Sequence, residues 1–144
     1  MNYILLCLLT LLFSLSGSAK GKYSDFGHWS IAANSGVRFG QQGISATFRN
    51  GEFAGQALGD VSSGLRSGAI SPNQLPLQTV VRDGITYSMN NRSLMTLRQA
   101  GMEPTVIKDV TGNAFFERQL TERLAEMGGH PPASFVPIIR TPKP

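Results

Sequence analysis

Leu77-Gln78-Thr79-Val80-Val81-Arg82-Asp83-Gly84-Ile85-Thr86-Tyr87-Ser88-Met89, followed at once by Asn90-Asn91-Arg92-Ser93-Leu94, is the stretch that decides the fold. Residues 77–81 and 85–89 are β-rich runs joined through Arg82-Asp83-Gly84. An Asp-Gly pair between apolar runs is a strong hairpin signal, because glycine supplies positive φ without strain. The chain then enters a helix over 92–100, with Asn90 or Asn91 as its cap, Leu94 and Leu97 facing inward and Gly101 just past its end.

Downstream, the β-branched residues 105–110 predict a returning strand. Residues 114–127 predict a helix with Phe116, Leu120 and Leu124 on one stripe, stopped by Gly128-Gly129. Residues 128–144 are proline-rich and read as an extended tail, although 135–139 has the composition of an edge strand. Upstream, 71–76 is a turn rich in proline and asparagine. Residues 54–66 place Leu58, Val61 and Leu65 at helical spacing, interrupted by glycines. Residues 37–39 form a short strand, 44–48 alternate apolar and polar, and Asn50-Gly51 marks a turn. Residues 20–36 show neither helical nor strand period and read as a flexible arm. Strands and helices in this order predict one α+β, or mixed α/β, domain over 37–127 rather than a bundle or a sandwich.

The chain has 144 residues, 41% of them hydrophobic and 15% charged, a composition of a small globular domain. Its apolar bias is local. Residues 4–15 form a largely apolar run, Gly17 and Ala19 occupy the positions a signal peptidase reads, and no Lys, Arg, Asp or Glu precedes Lys20. A secretory signal peptide over 1–19 is expected, with no stable membrane anchor after cleavage, which places the protein outside the cytoplasm. The one cysteine, Cys7, falls within that run. Thiol nucleophiles, cysteine-held zinc and disulfides are therefore excluded from the mature chain. His28 and His130 are flanked by glycine and proline and are expected to be solvated loop imidazoles. The formal net charge is +4, and arginine outnumbers lysine, which suits bidentate recognition of phosphate or carboxylate.

One place concentrates groups able to carry chemistry. Where the strand at Ser88 turns into the helix, free backbone N–H groups and the positive helix end favour an anion. Arg92 adds a fork of donors, and Asn90, Asn91 and Ser93 add neutral hydrogen-bonding groups. Asparagine at a helix start is more often a cap than a ligand.

The residues from 72 to 110 resemble the ParB/sulfiredoxin-like fold: Leu75-Pro76, then Val80-Val81-Arg82-Asp83-Gly84, then Tyr87 through Leu94, a helix ending Ala100-Gly101 and a β-branched strand. Val37-Arg38-Phe39-Gly40-Gln41-Gln42-Gly43-Ile44-Ser45-Ala46-Thr47-Phe48, with Leu65-Arg66-Ser67-Gly68, is similar to the ParB-like C-terminal domains of bacterial polymorphic (Rhs-type) toxins. Those domains carry an aromatic-x-Gln-x-x-Ile-Ser-x-Thr-Phe motif and a Ser-Leu-Asp-Asn-Arg-Arg-Leu motif. The resemblance covers about half of the chain. It implies a site for nucleotide or nucleic-acid phosphate at the junction, built on Asn91 and Arg92 and on Gln41, Ser45 and Thr47, with Arg38 in the same stretch. For the toxin-like members it further implies nuclease activity, Mg²⁺ as the metal of such a reaction and a cognate immunity protein as partner. The chain departs from the pattern twice, with Asn90 at the family's aspartate and Ser93 at its second arginine. These departures remove a carboxylate and a cation, leaving Asp83, Asp60 and Glu52 as remote acid candidates. Sulfiredoxin chemistry needs a cysteine and is excluded. The expectation is a secreted toxin-like effector acting on nucleic acid or nucleotide phosphate; the alternative is a non-catalytic secreted binding module on the same fold.

Overall fold

The computed structural model describes residues 36–141. The expected signal peptide, all of the expected arm except Gly36, His28, Pro142 and Pro144 lie outside the described residues. In chain order the elements are β1 (Val37–Phe39), β2 (Gly43–Ser45), α1 (Leu58–Ser67), a 3₁₀ turn (Pro72–Gln74), β3 (Leu77–Arg82), β4 (Ile85–Ser88), α2 (Asn91–Gln99), β5 (Ile107–Asp109), α3 (Ala114–Glu126) and β6 (Ile138–Arg140). The fold is α+β.

The hairpin forms as its sequence predicts. Asp83 and Gly84 both take positive φ, 53° and 75°, the backbone twist that lets two strands close through a two-residue turn. β3 and β4 pair antiparallel, β1 joins β4 in parallel and β5 joins β3 in parallel, giving the order β1-β4-β3-β5. Strand periodicity then sorts the side chains. Val37, Phe39 and Leu77 meet α1 and α2 through Leu58, Val61, Leu65, Leu94 and Leu97. Val80 and Tyr87, paired across the hairpin, meet Leu120 and Leu124 of α3. Helices thus cover both faces of a short sheet, each fully buried aliphatic side chain contributing roughly 1.5–3 kcal/mol.

Three expectations are corrected. The helix expected over 54–66 begins only at Leu58: Ala57 stays extended and bridges Thr47, so 54–56 belong to a turn. The strand expected over 105–110 shortens to Ile107–Asp109, the stretch that finds partners on β3. The proline-rich terminus is not merely a tail. Ile138–Arg140 pairs in parallel with β2, Pro131 and Pro137 are buried, and Ile138 N–H donates to Gln42 C=O at 3.0 Å.

His130 is likewise not a loose loop imidazole. Its Nδ1 lies 2.6 Å from the Tyr87 hydroxyl and its Nε2 2.8 Å from Asp83 Oδ2, fastening the segment after α3 to the hairpin. Burial pushes the Tyr87 phenol up, opposed by Arg38 and helped by Asp83.

Candidate functional site

β1 and β4 run parallel, so their carboxyl ends emerge at the same edge of the sheet. From one, Gly40 leads into the β2 segment; from the other, Met89-Asn90 leads into α2. Crevices outside such strand ends are where open sheets place ligands. Two asparagines lock this junction. Asn90 Oδ1 accepts from Gln78 N–H at 2.6 Å, and Asn91 Oδ1 accepts from Gly40 N–H at 2.9 Å. Asn90 occupies the N-cap position, yet its side chain makes no cap bond, contrary to the capping expected of it. The first backbone bond into α2 runs from Leu94 N–H to Asn90 C=O. Asn91, Arg92 and Ser93 N–H therefore have no acceptor within the helix. Asn91 is 3% exposed, and its Nδ2 is buried without a hydrogen-bond partner.

Beside this helix end lies a cleft of about 620 Å³ whose charged lining is entirely basic: Arg49, Arg92, Arg123 and Arg140. Arg92 of α2 donates to Ser45 Oγ at 2.9 Å, and Ser45 in turn donates to Thr47 C=O at 2.7 Å. Arg123 reaches across from α3 and donates to Met89 C=O at 3.4 Å. Arg140 arrives on β6, its Nε only 2.5 Å from where a Cβ on Gly43 would stand, so the absence of a side chain at Gly43 is what admits the guanidinium. None of the four makes a salt bridge among the described residues. Burial, then the neighbouring Arg49, holds the Arg92 guanidinium below its usual range; burial, then Arg92, does the same to Arg123. Arg123 also feels the opposing charge of Glu126, but no carboxylate lines the cleft itself.

Of the residues singled out in the sequence, Gln41, Ser45, Thr47 and Arg92 line this cleft together. Asn90, Asn91 and Ser93 line an adjoining groove that shares Gln41, Arg92 and Arg123 with it. Arg38 lines neither; on β1 it is paired with Tyr87, its charge felt by that phenol. Arg49, Arg123 and Arg140 were missed. They come from a loop, the polar face of α3 and the supposed tail, and no local pattern joins them.

The residues do not fit a catalytic Mg²⁺, which prefers carboxylate and phosphate oxygens. No carboxylate lines the arginine cleft. Asp83 is engaged with His130, Glu52 accepts from Gln74 Nε2 at 2.8 Å in the adjoining groove, and Asp60 is exposed in the first turn of α1. No group of three or more His, Cys, Asp or Glu side chains suited to a metal occurs among the described residues. Comparison with protein-family models, with curated proteins and with solved structures gave no match.

Proposed function

We propose that the protein is a secreted toxin-like effector domain that engages nucleic-acid or nucleotide phosphate in the cleft of Arg49, Arg92, Arg123 and Arg140. The observation that carries the reading is the convergence of these guanidiniums, without a carboxylate, on one cleft that Arg92 of the first turn of α2 helps to line. Phosphate oxygens satisfy both features at once: forked N–H donors from arginine and backbone N–H groups with the helix dipole behind them. The likeness of the 39–48 and 88–94 segments to ParB-like toxin domains supports the same site. The apolar run at 4–15 supports export.

The arrangement favours binding over hydrolysis, because Asn90 and Ser93 replace the charged groups of the motif and no acid stands in the cleft. Purified protein titrated with short polyphosphate is expected to bind equally well in Mg²⁺ and in EDTA. Arg92→Ala is expected to weaken binding at least about tenfold, since charge-assisted hydrogen bonds contribute roughly 1.5–3 kcal/mol each. Plasmid DNA and total RNA incubated in parallel test the second reading. Cleavage abolished by Arg92→Ala would replace the binding assignment with a nuclease; failure to bind any phosphate polymer would remove both.

A further inference from the structure

The groove adjoining the arginine cleft has a different chemistry. It encloses about 900 Å³, and its lining combines the phenyl rings of Phe115 and Phe116 with the amides of Gln119, Asn91 and Gln78. Phe115, in the first turn of α3, is 56% exposed, whereas Phe116 beside it is half-buried. The Phe115 and Phe116 rings pack in a T-shaped arrangement, with centroids 5.2 Å apart and planes at 79°, and much of the Phe115 ring stays open to solvent. Asn91, whose Nδ2 is buried without a hydrogen-bond partner, is among the residues that line the same groove. Gln41, Arg92 and Arg123 border both spaces, so the arginine cleft and the groove lined by Phe115 adjoin.

Resting on the phosphate reading above, we propose that this groove receives an unpaired base, making single-stranded nucleic acid the ligand class of the site. A base presents a flat apolar face for stacking and polar edges for amides, and only an unstacked, unpaired base offers both at once. Duplex nucleic acid hides its bases and presents phosphate alone. A bare polyphosphate uses the arginines and leaves the groove empty.

The test compares a labelled 12-residue oligodeoxyribonucleotide, its ribose counterpart, the duplex of the same sequence and base-free polyphosphate, by fluorescence anisotropy in EDTA. Single strands are expected to bind at least about tenfold more tightly than duplex. Phe115→Ala is expected to lose that preference while leaving polyphosphate affinity unchanged; Phe115→Trp is expected to retain it. The ribose and deoxyribose arms identify which strand is preferred. Equal binding of single strand and duplex, or indifference to Phe115→Ala in a variant with unchanged circular dichroism, overturns the base site while the phosphate site stands. Loss of polyphosphate binding in the parent protein overturns both.

Discussion

Arg98 shows at the scale of one residue how this small domain keeps a charge inside. Its side chain is 4% exposed, Nη2 donates to Val37 C=O, Cζ lies 5.2 Å over the Phe39 ring, and Nε is 3.6 Å from Glu103 Oε1. Burial drives the guanidinium down from its usual range, and Glu103 offsets this only in part. Removing one member of the pair leaves the other uncompensated. Arg98→Met is expected to destabilise the fold by about 3 kcal/mol in urea unfolding. Asn90 gives the converse case, a residue whose change spares the fold. Asn90→Asp keeps the acceptor for Gln78 N–H and adds a negative charge at the positive end of α2, so thermal stability is expected to hold or rise. The same charge stands beside Arg92, and polyphosphate affinity is expected to fall several-fold. An unchanged affinity would show that ligands bind away from the α2 end.

Between elements, legibility followed the range of the interactions. The hairpin was readable because Asp83-Gly84 encodes its turn locally, and α2 and α3 because their apolar stripes repeat within a few residues. α1 was misplaced at its start because Ala57 answers to Thr47, a pairing that helix propensity does not report. β6 was only half visible: prolines on both sides suggested a tail, and its parallel partner β2 lies at the other end of the domain. That pairing carries a prediction, since it sets Arg140 against Gly43. Gly43→Ala is expected to push the guanidinium out of the cleft, lowering polyphosphate affinity several-fold with little change in melting temperature. Calorimetric titration beside a thermal melt separates the two effects. α3 is tied to β3 by Glu117, which accepts from Gly112 N–H at 3.0 Å and pairs with Arg82. The Gly112 bond first, and Arg82 second, hold the Glu117 carboxyl below its usual value of 4.5. A depressed folded-state value means that the stabilisation is complete above the unfolded value and disappears as pH falls through the folded one. Carbon-13 titration is expected to place Glu117 below 4.5, and Glu117→Gln is expected to reduce the loss of stability on acidification below pH 4.5.

The whole molecule decides whether the four arginines act as a site or as scattered charge. From the sequence, Arg92 was legible because it follows a strand and opens a helix, a local fact. Arg49, Arg123 and Arg140 were not, because only tertiary packing brings a loop, a helix face and a terminal strand around one cleft. A formal net charge of +4 would by itself attract any polyanion weakly and diffusely. The two possibilities differ in their response to salt. Each phosphate neutralised by a bound cation releases condensed counterions, so the slope of log affinity against log salt counts the contacts made. Four engaged arginines give a slope of about −3 on a single strand, and removing one by Arg140→Ala makes it shallower by about 0.7. Arg66 is the matched control: it is exposed on α1, donates to Gln99 C=O at 3.0 Å and lies outside the cleft lining. Arg66→Ala lowers the net charge as much as Arg140→Ala does, yet is expected to leave the slope unchanged. Equal slopes for the two variants would mean that binding follows total charge, and the cleft would lose its standing as the place where phosphate is held.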